Sequence, residues 1–412
     1  MSEFLELLAP PQALSLFLDR LPERSLTEWI MSCEALGCVT AEPIRATFPL
    51  PTFARSTVDG FAVRAPDTHG ASESLPAYLR IVGEVPMGDT ADFSLGVGDC
   101  AVIHTGGMIP LGATAVVMVE YTQEAHKEEV EILRAVSDGE NVLQVGEDVQ
   151  TGDVVIPAGI RLRSAEIGGL MAQGVTQVAV SRRPKVGIIS SGDEVVEPGN
   201  LLRDGQVYDV NSYSLRALVI DSGGEPINYG ILPDNADSFR QAAQKAKAEC
   251  DIVVFTAGSS VSVRDLTAQT IDELGEPGVL VHGIRVRPGK PTILAVCDET
   301  AVIGLPGNPV SALVIARIFV VATIEKMLGL TQPRPKAVVA ARLSLNLSSQ
   351  TGREDWIGVK LVQVPNDDLY RAEPIFGKSN LIFTLAQADG LLRIPPAATG
   401  LPAGSLVTIE LL

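Results

Sequence analysis

The chain has 412 residues, 46% of them hydrophobic and 20% charged, and acids outnumber bases 50 to 32 for a net charge of −18. That length holds about two to four domains, and the composition excludes wholesale disorder. The negative field disfavours nonspecific nucleic-acid binding through phosphates and docking on an anionic membrane, while leaving room for a small anionic ligand at a local site.

Five cysteines, Cys33, Cys38, Cys100, Cys250 and Cys297, form no CxxC pair. Neither a disulfide framework nor a structural zinc site is expected, and a reducing, cytoplasmic setting fits best. The opening stretch, MSEFLELLAPPQALSLFLDR, has no basic n-region and no small-residue cleavage site. No uninterrupted apolar run reaches the roughly 18 residues of a membrane span. Residues 311–328 come nearest and are broken by Arg317, Glu325 and Lys326.

In chain order, residues 12–40 predict two helices. Leu14, Leu16, Phe17 and Leu18 crowd the first, and Trp29, Ile30, Cys33 and Leu36 follow at helical spacing. From about 53 to 180, short apolar runs between Gly, Pro and Asp turns predict strands at 78–82, 100–104, 115–119, 130–133 and 154–156. A helix over 164–173 and a strand over 177–180 follow. From 184 to 330 the pattern alternates. Strands are predicted at 185–190, 225–231, 251–256, 292–296 and 301–305, and helices at 211–222, 237–249, 266–274 and 311–328. The continuous apolar runs KVGIIS and DIVVFT suit buried parallel strands, and the alternation implies a doubly wound α/β sheet. Residues 331–336 read as a linker, and 337–412 as a small β-rich module with one short helix at 380–386.

Ligands of open α/β sheets bind at the carboxyl ends of the strands. Three such ends carry unusual loops: Ser190-Ser191-Gly192-Asp193-Glu194, Thr256-Ala257-Gly258-Ser259-Ser260, and Gly304-Leu305-Pro306-Gly307-Asn308-Pro309. Glycines permit close backbone approach, helix N-termini attract oxyanions, and Ser and Thr hydroxyls donate. A phosphorylated or otherwise oxyanionic ligand follows, with ordinary turns and helix caps as the plain alternative. Lys290, between Gly289 and Pro291 in the run 285–291, adds a cation that either meets the ligand or faces solvent. Glu194, Asp234 and Asp265 suit Mg²⁺ if they converge. For Asp234 the competing role is N-capping the following helix. Asp59-Gly60 reads plainly as a hairpin turn. The four histidines show no metal-ligand spacing, and no GxSxG, GxxxxGK[ST] or GxGxxG motif occurs.

Seven blocks in order carry a resemblance: STVDGFAVR (56–64), HTGGMIPLGATAVVMVE (104–120), NVLQVGEDVQTGD (141–153), SSGDEVVEPG (190–199), DGQVYDVNSY (204–213), RPGKP (287–291) and GLPGNPVSA (304–312). The chain resembles the molybdopterin molybdenumtransferase family, which comprises bacterial MoeA proteins and the E domain of gephyrin. The resemblance runs from about residue 10 to the C-terminus. It implies insertion of molybdate into adenylylated molybdopterin with Mg²⁺-dependent release of AMP. It also implies a homodimer whose active site joins the α/β domain of one subunit to the β domain of the other. A molybdopterin adenylyltransferase and molybdoenzyme targets are the implied partners. Four domains are implied: an elongated linker domain (1–46 and 143–182), a β-rich domain (47–142), an α/β molybdopterin-binding domain (183–330) and a C-terminal β-barrel-like domain (331–412).

Carried over by motif, the catalytic positions are Asp59, Thr105, Asp148, Glu194, Asp234 and Asp265, with Glu194, Asp234 and Asp265 on the metal. Substrate-binding positions are Ser191, Gly192, Asp193, Gly258, Ser259, Ser260, Ser262, Arg264, Pro288, Gly289, Lys290, Pro291, Pro306, Gly307, Asn308, Pro309 and Ser311. The chain departs from the family at TAGSSVSVRDLT (256–267), where Ser259 replaces a glycine and either Ser260 or Ser262 takes the family serine's place. Gln144-Val145 stands where the family has an arginine before GED, and Met108 replaces a proline. The alternatives are a tungstate-specific or specialised paralogue and a noncatalytic dimeric scaffold.

Overall fold

The computed structural model describes residues 7–22, 26–126, 128–256, 261–332 and 335–412, the side chains of 261–265 excepted. Two compact units emerge: Met1–Glu42, Ala158–Ser164 and Gln177–Leu412 form one, and Pro43–Pro157 with Ala165–Thr176 the other.

The first unit opens with helix α1 (Pro10–Leu18), Pro standing at its start where no N–H is needed. Its centre is a six-stranded sheet built from β1 (Lys185–Ser191), α2 (Asn211–Ser222), β2 (Glu225–Leu232), α3 (Ala236–Glu249), β3 (Ile252–Thr256), α4 (Val261–Asp272), β4 (Pro277–His282), β5 (Ile293–Cys297), β6 (Thr300–Leu305) and α5 (Pro309–Met327). The strand order is β2-β1-β3-β6-β5-β4; the first four run parallel, and β5 is antiparallel to both its neighbours.

The apolar strands divide by the two-residue pleat. Val186, Ile188, Ile252, Val254, Ala301 and Ile303 pack with Phe17, Leu215 and Phe319 of α1, α2 and α5. Ile189, Val253, Phe255 and Val302 pack with Phe239 and Ala243 of α3 and Ile271 of α4. Both faces are covered, so the sheet is doubly wound, and this is why its strands read as unbroken apolar runs.

The same unit ends in a closed barrel. Strands Glu354–Val362, Tyr370–Pro374, Val338–Leu343, Leu406–Leu411 and Gly390–Ile394 pair in that cyclic order, the last returning to the first. Val286–Arg287 adds to it in parallel, with Arg287 opposite Asp355.

The second unit is a six-stranded sheet in the order 115–118, 60–63, 99–103, 77–85, 129–132 and 122–126. Val63, Leu79, Cys100, Val117 and Ile132 form part of its core.

Two expectations fail. The second N-terminal helix is instead the strand Thr27–Met31, antiparallel to Gln177–Ser181, followed by one 3₁₀ turn at Ser32–Glu34. Helical spacing there is outweighed by a β-prone T-E-W-I-M stretch with a strand partner far along the chain. Asp59-Gly60 is no hairpin turn either. Gly60–Val63 pairs with 100–103 and 115–118, not with the strand just before it.

Candidate active site

Four parallel strands end at one edge of the α/β sheet, so Ser191, Leu232, Thr256 and Leu305, the last residues of β1, β2, β3 and β6, share that edge. After β1, Ser191 and Gly192 are buried, while Asp193 and Glu194 are exposed. Gly192 has φ +143°, and a Cβ there would stand 2.8 Å from Glu194 Oε2, so the bare backbone is what lets that carboxylate fold over it. After β2, the Asp234 N–H donates to Asp193 Oδ1 at 3.2 Å. The cap of α3 is Asn235, whose side chain accepts from the Ser238 N–H at 2.9 Å. That removes the plain role offered for Asp234. Among the described residues its buried Oδ1 has no hydrogen-bond partner, and neither has Ser191 Oγ. Burial first, then the charges of Asp193 and Glu194, raise the Asp234 carboxyl above the usual carboxylate range.

Among the described residues no three His, Cys, Asp or Glu side chains stand ready-made for a metal ion. Gly258, Ser259 and Ser260 lie outside the described residues, as do the side chains of Ser262, Arg264 and Asp265.

The RPGKP and PGNP turns line a cleft of about 1350 Å³ that they share with the barrel. Gly289 has φ +119°, and a Cβ there would run into Ile315 of α5. The turn therefore seats directly on α5 and leaves the Lys290 side chain exposed in the cleft. Pro288, Pro291, Pro306, Asn308 and Ser311 line it too. Asn308 Nδ2 donates to Ser379 Oγ at 3.0 Å, and the Val310 N–H donates to the Ser379 carbonyl at 3.0 Å. One N–H that a free helix terminus would offer an anion is thus already used. The charge comes instead from side chains: Arg285, Arg287, Arg353 and Lys378 join Lys290 on the lining. The Nε1–H of Trp356, another lining residue, is buried and has no acceptor among the described residues.

In the second unit, Asp59 Oδ1 accepts from the Thr105 N–H at 2.8 Å, and His104 Nε2 lies 3.0 Å from Glu84 Oε1. A Cβ on Gly60 would meet the Val117 carbonyl, which holds the DG step tight against the neighbouring strand. Asp148 lies on another loop of this unit, its N–H donating to the Leu50 carbonyl at 3.0 Å. Asp59, Thr105 and Asp148 are all exposed.

Sequence reasoning missed Asn211. It is buried at the start of α2, and its Nδ2 donates both to Thr256 Oγ1 at 2.7 Å and to the Gly307 carbonyl at 2.9 Å. It ties the end of β3 to the PGNP turn, and among the described residues its Oδ1 has no partner. The DGQVYDVNSY block contained it, but nothing local marked it. Arg353, Lys378 and Ser379 were also missed, because only barrel closure brings them to the cleft. A second hollow of about 380 Å³ lies at the opposite sheet edge, where Arg182 and Lys247 already pair with Asp251 and Asp298.

Residues 8–174 match the MoeA N-terminal region (domain I and II), 187–326 the probable molybdopterin binding domain, and 340–412 the MoeA C-terminal region (domain IV). The chain is 35% identical to the molybdopterin molybdenumtransferase of Nostoc sp., over 95% of this chain and 90% of that one. It is 33% identical to the enzyme of that name from Haemophilus influenzae, over 97% of each. A crystal structure of the molybdopterin biosynthesis MoeA protein from Pyrococcus horikoshii OT3 superimposes with a TM-score of 0.85 at 34% identity, over 99% of this chain and 100% of that one. With full-length similarity at this level and three family regions matched in order along it, the chain belongs to the MoeA family of molybdopterin molybdenumtransferases.

Proposed function

We propose that this chain is a transferase of molybdenum cofactor biosynthesis that inserts molybdate into adenylylated molybdopterin with Mg²⁺-dependent release of AMP. The observation that carries the reading is one sheet edge bearing two opposite electrostatic features. One is a carboxylate group, Asp193, Glu194 and Asp234, which among the described residues has no paired cation and has an unpartnered oxygen on Asp234. The other is a cleft lined by five cationic side chains in a chain of net charge −18.

The cleft suits a tetrahedral oxyanion: Lys290 and Arg353 supply charge, and the Ser311 and Ser379 positions lie beside them. Molybdate is the substrate that the family implies for it. On the carboxylate side, burial first and then the like charges of Asp193 and Glu194 raise the affinity of Asp234 for a proton, and a bound cation would relieve both. Glu194 and Asp234, with Asp265, would hold Mg²⁺ by oxygen ligation. Bound there, the ion would neutralise charge on the pyrophosphate that is cleaved. Asp234 would take one of two roles there, completing the oxygen ligands of Mg²⁺ or orienting a water against the pyrophosphate. Glycine at 192 lets the backbone approach the phosphates.

We further propose the homodimer in which Asp59, Thr105 and Asp148 of one subunit complete the site of the other, together with the four-domain division given above. A molybdopterin adenylyltransferase upstream and molybdoenzymes downstream are the matching partners.

The test is an insertion assay with adenylylated molybdopterin, Mg²⁺, and molybdate or tungstate. Wild type is expected to release AMP and load the oxyanion, and Glu194→Ala to lose both. Loading of tungstate alone would make the chain tungstate-specific. No AMP release from a folded wild type with either oxyanion would leave the scaffold reading.

A further inference from the structure

We propose that Asp355 is a positioning residue that holds the Arg353 guanidinium for the oxyanion; this rests on the oxyanion reading of the cleft given above. Asp355 is 3% exposed, yet it lines a cleft otherwise rich in cations. A buried carboxylate there works against anion binding unless its charge is fully committed to something else. It is committed: Oδ1 accepts from Arg353 Nε at 2.9 Å and Oδ2 accepts from Ser349 Oγ at 3.0 Å.

The geometry of that bond decides what is left for a ligand. A guanidinium donates along two edges, and Asp355 occupies the Nε edge. Among the described residues, the two Nη groups have no protein acceptor. The Arg353 side chain is only 29% exposed. One edge is therefore fixed by the protein, and the Nη pair remains for a bidentate contact with an oxyanion. Holding the side chain in advance spares the ligand the cost of ordering it. Backbone register reinforces the placement, since Asp355 sits directly opposite Arg287 where the RPGKP strand joins the barrel.

The neighbouring residue gives an internal control. Glu354 is equally buried and equally paired, with Arg393 at 2.6 Å and 3.0 Å, but it does not line the cleft. A merely structural ion pair should behave like Glu354.

The experiment is calorimetric titration of the full-length protein with molybdate, tungstate and sulfate, for wild type, Lys290→Ala, Arg353→Ala, Asp355→Asn, Glu354→Gln and the double variant Arg353→Ala/Asp355→Asn, each with its Tm. Asp355→Asn is expected to weaken binding by roughly 10-fold, and to have no further effect once Arg353 is alanine. Glu354→Gln is expected to lower Tm and leave affinity unchanged. If Lys290→Ala loses affinity while Asp355→Asn binds as wild type, or Arg353→Ala binds as wild type, the positioning role is overturned and the oxyanion reading stands. If wild type binds none of the three anions, or neither cation matters, the oxyanion reading itself fails.

Discussion

Asp234 is the residue whose surroundings most need a ligand. Its Oδ1 is buried and has no donor among the described residues, and both burial and the charges of Asp193 and Glu194 oppose its ionisation. The folded pKa lies above the unfolded one, so the fold prefers the protonated form. Its contribution to stability is therefore best in acid, falls as pH rises from the ordinary carboxylate range through the raised value, and stays unfavourable above it. Asp234→Asn should gain about 0.5–1 kcal/mol at pH 7 after allowance for solvent screening, and nothing below the ordinary carboxylate range. Thermal unfolding of both proteins across pH checks this. Activity should fall by roughly 10²-fold or more, so the group that destabilises the free protein is the one the chemistry uses. The thiols follow the same logic of burial. Burial pushes Cys100 up to about 12 and Cys297 up to about 11, while Cys33 is exposed. Alkylation near pH 8 should label Cys33 promptly and leave Cys100 and Cys297 unlabelled until the chain unfolds.

At the scale of elements, legibility followed burial on two faces. KVGIIS and DIVVFT were readable as strands because helices cover both sides of the sheet. The stretch 27–36 was misread because its partner at 177–181 lies far away in sequence, and no local pattern reveals a long-range pairing. The site divides in the same way. Motif loops at strand ends were visible, as at Glu194, Lys290 and Asn308. Residues delivered by tertiary closure, Asn211 and Arg353, were not. Asn211 shows what such a residue does. Its side-chain amide joins the buried Thr256 hydroxyl to the half-buried Gly307 carbonyl, so removing it takes a donor from both. Asn211→Ala should cost about 1–3 kcal/mol and raise the KM for the oxyanion more than it lowers kcat, because the PGNP turn loses its tether. Steady-state kinetics with a denaturant titration separate the two effects. Gly289→Ala acts on the other turn. Its positive φ and the collision with Ile315 give about 2–3 kcal/mol of destabilisation, with Lys290 displaced.

For the whole molecule, the charge distribution serves local chemistry rather than a uniform field. A net −18 repels anions at long range, yet the cleft gathers Arg285, Arg287, Lys290, Arg353 and Lys378. Screening weakens the distant repulsion before it weakens contact pairs, so moderate salt should cost less affinity here than in a uniformly basic site. The carboxylates proposed as catalytic are likewise divided, Glu194 and Asp234 in one compact unit and Asp59 and Asp148 in the other. The proposed homodimer turns that division into a prediction about subunits. Asp59→Asn and Glu194→Gln should each inactivate a dimer of identical chains, because every site then carries one lesion. Mixed after dissociation and reassembly, half of the dimers should hold one chain of each kind. In such a heterodimer one site combines both lesions and the other has neither. Activity should therefore return to about a quarter of wild type in an equal mixture. If each site is instead built within a single chain, both sites of the heterodimer keep one lesion and the mixture stays inactive, so the same assay of AMP release decides between the two arrangements.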